Sequence, residues 1–288
     1  MKLALGTAQF GFAYGVANKN GQVSNREVKS IIESARNANI DMIDTAIAYG
    51  ESEEQLGNAG VTGFNVITKL PPVPDGQSDV AQWMNQQVGD SISRLKIQQL
   101  DGLLLHQPSQ LLESGGEELW QAAHSLKANK LVSKIGYSIY DPSELDLLFE
   151  EFRPDIVQAP YNIIDRRLDS SGWLQKLFDN GVEVHARSVF LQGVLLMTHS
   201  DRLELFNNWA DLWLALDKWQ SENSATALET CLQFVLNETR IDRAVVGVDS
   251  ERQLHEVLLA CNATVPTPPD TLATTDSLLL NPSCWKIP

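Results

Sequence analysis

Eight short apolar segments alternate with eight longer segments of helical periodicity along this 288-residue chain. Strict alternation favours a parallel sheet, and eight units favour a closed (β/α)8 barrel over an open sheet. We therefore predict an α/β fold made of a single TIM barrel. The predicted strands are Leu3–Thr7, Met42–Asp44, Asn65–Lys69, Gly102–His106, Ser133–Ser138, Ile156–Gln158, Glu183–Ser188 and Arg243–Val246, and the predicted helices lie near 25–38, 51–59, 78–95, 117–129, 142–152, 168–180, 224–238 and 250–261.

Capping and turn residues mark several of these boundaries. Ser24 followed by Glu27 predicts a capping box at the start of the first helix. Asp141-Pro142 predicts an N-cap with Pro at the first helical position. Gly181 predicts the end of a helix just before the strand at Glu183.

Two segments interrupt the alternation. Residues 194–223 form an insertion after the seventh strand, and residues 263–288 form a tail whose apolar end predicts docking. We expect no second domain, so that residues 1–288 form one barrel domain with a C-terminal tail. The insertion favours a packed helix, with a lid over the site as the alternative. Its helically spaced apolar residues are Leu205, Trp209, Leu212, Trp213, Leu216 and Trp219.

The charge balance limits the classes of partner. The chain has 22 Lys and Arg residues against 37 Asp and Glu residues, so its formal net charge is −15. Such a surface repels nucleic acid and anionic lipid. No apolar run approaches the roughly 18 residues that a membrane helix requires. Three cysteines at distant positions suit a reducing cytoplasm better than a disulfide framework, and Cys231 is expected in the core.

Four polar residues stand at or just beyond the ends of three successive predicted strands. They are Asp44, Tyr49, Lys69 and His106. The carboxyl ends of the strands form the face on which α/β barrels carry their chemistry. Each residue could instead have a purely structural role. Asp44 could cap a helix, Lys69 could form an ion pair at the surface, His106 could be a hydrogen-bonded core histidine, and Tyr49 could pack its ring over the barrel mouth.

Together these four residues suit proton delivery to a carbonyl group that is gaining negative charge. A nearby ammonium lowers the pKa of a phenol, and a carboxylate holds the ammonium in place. An imidazole can donate a hydrogen bond to the substrate oxygen. The sequence shows no obvious nucleophile, metal-binding spacing or phosphate loop. A hydride donor would complete the reaction, and hydride transfer requires a cofactor.

The motifs around these residues resemble the aldo-keto reductase superfamily over most of the chain. The resemblance implies the same barrel and an enzyme that reduces an aldehyde or ketone with a nicotinamide cofactor, reversibly. It implies that Tyr49 is the general acid, that Lys69 and Asp44 tune it, and that His106 orients the carbonyl. The motifs are Gly6-Thr7-Ala8-Gln9-Phe10-Gly11, Asp44-Thr45-Ala46, Tyr49-Gly50, Ser52-Glu53, Leu56-Gly57, Thr68-Lys69 and Leu104-Leu105-His106.

The resemblance also implies a cofactor site. Ser138 and Gln158 would hold the nicotinamide carboxamide, although Ile139 replaces the Asn that the family usually has. Arg187 stands where the family commonly has a Tyr that stacks on the nicotinamide; a guanidinium can also stack, or can serve as an ion-pair partner at the barrel mouth. The predicted cofactor-binding residues are Gly6, Thr7, Asp44, Ser138, Gln158, Arg187, Ser188, Gly247, Asp249 and Gln253.

The choice of cofactor depends on the loop that carries Asp249. Many members of the family place Lys or Arg there to meet the 2′-phosphate, whereas a carboxylate would repel that group. Arg252 lies one helical turn later, and Asp249 could also be a plain N-cap. The family's habit predicts NADP, with NAD as the alternative.

Two other classes of function stay open. A cofactor-binding regulatory or redox-sensing module with little turnover would use the same residues. A metal-dependent sugar isomerase or lyase would need clustered carboxylates and histidines at more strand ends, and no metal site is predicted. The expected partner is a small-molecule carbonyl substrate. The sequence names neither that substrate nor an oligomeric state.

Overall fold

The computed structural model describes residues 1–285, and its eight parallel strands close into a barrel in the order β1 to β8. The last strand pairs with the first, with Gly247 opposite Gly6. The predicted (β/α)8 barrel is confirmed. The strands are β1 (Leu3–Gly6), β2 (Met42–Asp44), β3 (Asn65–Leu70), β4 (Leu100–Leu105), β5 (Val132–Ser138), β6 (Ile156–Pro160), β7 (Glu183–Arg187) and β8 (Arg243–Gly247).

Helices surround the barrel and connect its strands. The prediction of a single helix over 168–180 is wrong. Two helices, Arg167–Ser170 and Trp173–Asp179, stand there, and Gly172, with a positive φ of 83°, separates them. The helices are α1 (Ala8–Gly11), α2 (Asn25–Asn37), α3 (Ser52–Ala59), α4 (Val80–Leu95), α5 (Gly116–Ala128), α6 (Glu144–Leu148), α7 (Arg167–Ser170), α8 (Trp173–Asp179), α9 (Ala210–Glu222), α10 (Ala227–Leu236), α11 (Glu251–Ala260) and α12 (Ser277–Leu280).

The apolar core has an inner and an outer layer. The outer layer packs the helices against the outward faces of the strands. The inner layer fills the barrel itself, which makes the middle of the barrel a packed core and leaves its carboxyl end for the site. The buried side chains of the inner layer are Ala4, Met42, Ile67, Leu104 and Ile156.

The helix caps only partly follow the sequence pattern. Ser24 caps α2 by accepting a hydrogen bond from the Glu27 backbone, as predicted. The carboxylate of Glu27 does not close the capping box; it accepts a hydrogen bond from the backbone N–H of Glu251, at the start of α11. The predicted helix start at Pro142 is wrong. Helix α6 begins at Glu144, because Asp141 accepts from the Ser143 backbone and holds the preceding residues in a turn.

The 194–223 insertion forms a packed helix, α9, preceded by a short 3₁₀ helix. Its buried residues form a second apolar cluster with α12 and Trp285. Phe206 of the insertion meets Trp285 of the tail edge to face, with the ring centroids 5.1 Å apart. The tail therefore docks on the insertion, as its apolar end predicts; the last three residues of the predicted tail, 286–288, lie outside the described residues.

The three cysteines are free, and Cys231 is fully buried, as its apolar neighbours predict. None of the helices within residues 1–285 combines the length and apolarity that crossing a membrane requires.

Candidate active site

The four residues expected to carry the chemistry lie at the carboxyl end of the barrel. Asp44 is the last residue of β2, Lys69 is the last but one of β3, and His106 directly follows β4. Tyr49 lies in the turn between β2 and α3. All four line one cavity of about 380 Å³. The parallel strands thus bring together groups that are up to 62 residues apart in the chain.

Asp44 and Lys69 form a buried ion pair at the base of this cavity. The Lys69 Nζ lies 2.6 Å from the Asp44 Oδ1 and donates a second bond, of 2.9 Å, to the Thr45 carbonyl. The other Asp44 oxygen accepts a 2.7 Å bond from the Gln158 Nε2. Both charges are satisfied within the protein, so this pair is held in one arrangement.

Tyr49 is positioned by a close approach of two backbone segments. A Cβ at Gly11, at the end of α1, would overlap the Tyr49 carbonyl. The Tyr49 ring then lies 5.3 Å from the Lys69 Nζ, and its centroid is 6.0 Å from those of Phe12 and His106. Glycine at position 11 therefore permits the close backbone approach of α1 to the turn that carries Tyr49.

The pKa of the Tyr49 phenol differs from the sequence expectation. Burial raises this pKa above its ordinary value, and the charge of Asp44 raises it further. The sequence predicts that Lys69 lowers it, but the Lys69 ammonium is engaged by Asp44 and Thr45. Burial also lowers the pKa of Lys69, and the adjacent Asp44 opposes that change. Tyr49 therefore keeps its proton at neutral pH.

His106 is neutral at neutral pH. Burial and the nearby charge of Lys69 lower its pKa to about 4. A neutral imidazole carries one N–H donor, which is what a carbonyl oxygen needs. His106 can thus donate a hydrogen bond without adding a charge to the site.

The ten residues expected to bind cofactor line the same cavity as the four catalytic candidates. Gly6 and Gly247 are paired across β1 and β8, next to Asp44 of β2. Thr7 is turned towards the protein, since its hydroxyl donates to the Asp44 carbonyl over 3.0 Å. Ser138 ends β5 and Ser188 follows β7.

Arg187 is the second cation of the cavity. Its guanidinium lies 4.6 Å above the Tyr140 ring, and its Nη2 donates a 2.8 Å bond to the Ile139 carbonyl. No carboxylate lies within 4.0 Å of it among residues 1–285, so the ion-pair alternative is wrong within the described residues. The Ile139 side chain is buried in the outer core and offers the cavity no polar contact.

Asp249 lies beyond the carboxyl end of β8 and lines the cavity there. Its backbone N–H donates to the Gln253 Oε1 over 2.6 Å. The N-cap alternative is wrong, because Ser250 caps α11 by accepting from the Gln253 backbone. Burial raises the pKa of the Asp249 carboxyl. Glu256 also lines the cavity, whereas Arg252 is bound to Glu256 and largely exposed.

Several residues that build the site escaped the sequence analysis. Gln9 donates a 3.0 Å bond to the Val248 carbonyl and fills the space beside Gly247. Asn162 donates to the Ser188 carbonyl over 3.0 Å and so fixes the loop after β7. Tyr14 and Tyr140 line the cavity from loops without a recognisable motif. Of these residues, only Gln9 could have been found from the sequence, because it lies inside the motif Gly6–Gly11.

A buried acid supports the strand that carries Lys69. Glu53 accepts hydrogen bonds of 2.7 Å from both Thr68 and Ser91 and pairs with Arg94 at 2.7 Å. Its motif, Ser52-Glu53, drew attention in the sequence, but no role could be assigned to it there. Within residues 1–285, no three His, Cys, Asp or Glu side chains are close enough together to hold a metal ion.

Comparison with protein families and known structures agrees with this geometry. The Aldo/keto reductase family profile matches residues 2–279. An L-glyceraldehyde 3-phosphate reductase of Escherichia coli O157:H7 is 23% identical over 274 residues, covering 81% of this chain and 78% of the relative. The corresponding protein of strain K12 is 22% identical over the same length.

Solved structures share the fold. Aldo-keto reductase AKR11C1 from Bacillus halodurans, in its holo form, superposes with a TM-score of 0.75 at 19% identity, covering 95% of this chain and 92% of that one. A putative aldo-keto reductase from Pseudomonas aeruginosa gives a TM-score of 0.66 at 20% identity, with coverage of 90% and 88%.

Proposed function

This chain belongs to the aldo/keto reductase family of oxidoreductases that act on carbonyl compounds, and from that premise we propose that it reduces an aldehyde or ketone to an alcohol, reversibly, with NADPH as hydride donor and NADH as the alternative. The observation that carries the proposal is the buried Lys69–Asp44 pair beneath Tyr49, with neutral His106 beside the same ring. The relative from Escherichia coli indicates an aldehyde as one substrate to test.

The cavity suits a nicotinamide cofactor. Ser138 and Gln158 present an alcohol and an amide at adjacent strand ends, the donor set that a carboxamide requires. Within residues 1–285, the backbone N–H groups of Ser188, Val189 and Phe190 donate no hydrogen bond, and all three residues line the cavity. Successive free N–H groups can hold a diphosphate. Gly6, Thr7, Gly247, Asp249 and Gln253 line the same cavity and would contact the rest of the cofactor.

The residues of this chain perform the acid–base part of the reaction. A bound nicotinamide cofactor supplies a hydride to the carbonyl carbon. His106 orients the substrate through a hydrogen bond to the carbonyl oxygen. As negative charge develops on that oxygen, Tyr49 transfers its phenolic proton to it, and the Lys69 ammonium stabilises the resulting phenolate. Asp44 and Thr45 keep the ammonium charged and close to the ring.

The test is reduction of a panel of aldehydes, ketones and sugars by the wild type and by Tyr49→Phe. The variant keeps the ring but lacks the proton, so we expect kcat to fall by about 10²–10⁴ while the Kd for NADPH stays nearly unchanged. Tyr161→Phe is the control, because this buried tyrosine lies outside the cavity lining.

Two outcomes would change the proposal. More than roughly a tenth of the wild-type kcat in Tyr49→Phe would remove Tyr49 from the acid's role, because a positioned acid contributes at least about 10². Cofactor binding by the wild type without turnover of any compound would support the redox-sensing alternative. The cytoplasmic location stays a prediction from the sequence.

A further inference from the structure

Glu53 is a buried carboxylate that lies outside the cavity lining. Its Oε1 accepts hydrogen bonds of 2.7 Å from the hydroxyls of both Thr68 and Ser91. Its Oε2 accepts two bonds from the Arg94 guanidinium, of 2.9 Å from Nε and 2.7 Å from Nη2. Hydrogen bonds to a charged group are shorter and stronger than neutral ones, and these four hold the carboxylate in one position. Glu53 can therefore fix the elements that supply its partners.

The partners of Glu53 lie on two elements next to α3. Glu53 belongs to the first turn of α3, which begins three residues after Tyr49. Thr68 belongs to β3 and directly precedes Lys69, whereas the other two partners belong to α4. Successive side chains of a strand point to opposite faces, so Thr68 meets α3 while Lys69 enters the cavity. Glu53 thus joins the helix after the phenol to the strand that carries the ammonium.

The turn that carries Tyr49 is tied to β3 on both sides. Before Tyr49, the backbone N–H of Ile47 donates a 3.1 Å bond to the Lys69 carbonyl. After Tyr49, the Thr68 hydroxyl donates its 2.7 Å bond to Glu53. The first bond belongs to the backbone and does not depend on side chains, whereas the second needs one hydroxyl and one carboxylate. The bond between Glu53 and Thr68 is therefore the tie that a side-chain substitution can remove.

Ser52, the neighbour of Glu53, holds the start of α3 to two other strands. Its hydroxyl donates a 2.9 Å bond to the carbonyl of Thr7, which follows β1. The same hydroxyl lies 3.1 Å from that of Thr45, which follows β2. These contacts restrain the turn relative to β1 and β2. The contact that restrains it relative to β3, after the phenol, is the one made by Glu53.

We propose that Glu53 is a positioning residue for the reaction: through Thr68 it holds the turn that carries Tyr49 at its working distance from the ammonium of β3. The Tyr49 ring centroid lies 5.3 Å from the Lys69 Nζ. The attraction between an ammonium and a phenolate falls as their separation grows, so displacement of the turn slows proton transfer. The inference rests on the carbonyl reduction proposed above and adds to it a residue outside the cavity.

Two variants that each lack one hydroxyl separate positioning from stability. Thr68→Val and Ser91→Ala both remove a buried hydroxyl that donates over 2.7 Å to the same Glu53 oxygen, but only the first breaks the tie to β3. We expect Thr68→Val to lower kcat about tenfold, less than the 10²-fold that a misplacement of about 1 Å can cost, with KM for the carbonyl little changed. Ser91→Ala should leave kcat nearly unchanged. Thr68→Ser, which keeps the hydroxyl, should restore most of the kcat.

The pH profile of alcohol oxidation is a readout that a loss of stability alone does not move. In that direction Tyr49 accepts the proton, so the rate rises as the phenol ionises. Weaker stabilisation of the phenolate raises the pKa of the phenol, so the rising limb should move to higher pH in Thr68→Val and stay in place in Ser91→Ala. The charged and titratable groups around the phenol are unchanged in both variants, namely Asp44, Lys69, His106, Tyr14, Tyr140 and Arg187.

Three results would overturn the proposal and leave Glu53 a purely structural residue. The first is an equal loss of kcat in Thr68→Val and Ser91→Ala. The second is a loss in Thr68→Val that is the same at every pH, and the third is a wild-type kcat in that variant. Thr68→Ala removes the same hydroxyl and takes the place of Thr68→Val should the latter not fold.

A further measurement does not depend on turnover. If the wild type reduces no carbonyl, the proposed function fails, and fluorine NMR of protein labelled with 3-fluorotyrosine still tests the positioning. The chain has five tyrosines, and the Tyr49 resonance is the one that Tyr49→Phe removes. A shifted Tyr49 resonance in Thr68→Val, with an unchanged one in Ser91→Ala, would sustain the positioning of Tyr49 by Glu53. An equal shift in both variants, or a shift in neither, would refute it.

Discussion

At the scale of residues, both the proposed proton chemistry and the proposed choice of cofactor depend on single side chains of this barrel. Three hydrogen bonds hold the Lys69–Asp44 pair: one within the pair, one to the Thr45 carbonyl and one from the Gln158 amide. Within residues 1–285, by contrast, the Tyr49 hydroxyl and the His106 ring make no hydrogen bond to the protein, and both residues line the cavity. The sequence could place all four on one face, because strand ends of a parallel barrel meet there. It could not give the direction of the pKa change at Tyr49, because that depends on burial, which is a property of the closed barrel.

If the adenosine ribose binds beside Asp249, this carboxylate should weaken, without reversing, the preference for NADPH that we propose. Asp249 lines the cavity together with Glu256, and the cationic side chains that line this cavity among residues 1–285 are Lys69 of β3 and Arg187 of β7. We expect Asp249→Arg to shift the ratio of the NADPH and NADH dissociation constants towards NADPH by tenfold or more, which corresponds to about 1.4 kcal/mol.

The dissociation constants are to be measured at one ionic strength, with Asp211→Arg as the control. Asp211 is exposed on α9, so its replacement makes the same change in net charge at a distance from the cavity. An unchanged ratio in Asp249→Arg would mean that this residue does not meet the ribose.

His106 should make folding stability depend on pH. Its pKa is about 4 in the folded protein against 6.5 for an ordinary histidine. Between these two values only the unfolded chain takes up the proton, so the free energy of unfolding falls as the pH is lowered through this range. We expect urea unfolding to show that, between pH 7 and pH 5, the wild type loses roughly 1–2 kcal/mol more than His106→Gln. The same loss in both proteins would contradict a buried neutral His106, and exposed His199→Gln provides the control.

At the scale of elements, the barrel frame was predictable and the loops above it were not. The strand bounds agree with the prediction to within two residues, because local apolar runs in the sequence mark where each strand begins and ends. The split between α7 and α8 and the late start of α6 depend on side-chain contacts in turns, such as Asp141 with the Ser143 backbone. The positions of Tyr14, Tyr140 and Asn162 arise from contacts between loops distant in sequence, which no local pattern reports.

The contact between α1 and the turn after β2 should be essential for activity. A Cβ at Gly11 would overlap the Tyr49 carbonyl, so Gly11→Ala must displace the turn that carries the phenol. A misplacement of about 1 Å can cost 10²-fold in rate, and we expect a kcat loss of about that size. The control is Gly89→Ala in α4, where an added Cβ meets nothing within 4 Å. If Gly11→Ala folds and keeps the wild-type kcat, this contact does not position Tyr49.

At the scale of the whole molecule, we infer that barrel, insertion and tail fold as one domain. The second apolar cluster joins Ile163 and Ile164, which follow β6, to the insertion and to Leu279 and Leu280 of α12. Trp209 adds a 2.9 Å bond from its Nε1 to Asp276. The tail's composition predicted docking, but the partner surface could be found only in three dimensions, because its residues come from three separate parts of the chain.

Two adjacent leucines of α12 test this inference. Leu279 is fully buried in the cluster, whereas Leu278 is 61% exposed. We expect Leu279→Ala to lower the free energy of unfolding by about 2–5 kcal/mol, and Leu278→Ala to lower it by less than about 0.5 kcal/mol. Circular dichroism and tryptophan fluorescence should follow one shared transition in urea; two separated transitions in either protein would show that the tail and the barrel unfold independently.

The pairing of β8 with β1 has a consequence for the order in which a ribosome delivers this protein. The four residues proposed to handle the proton, which lie between Asp44 and His106, leave the ribosome well before Gln158, which completes the hydrogen bonding of Asp44. Gly247 and Asp249 follow later still, and β1 has only β2 as a neighbour until then. A nascent chain therefore carries its reactive phenol and ammonium in an open, incomplete sheet. Because the first strand finds its second partner some 240 residues later, closure of the barrel is a long-range event that must wait until β8 has been synthesised.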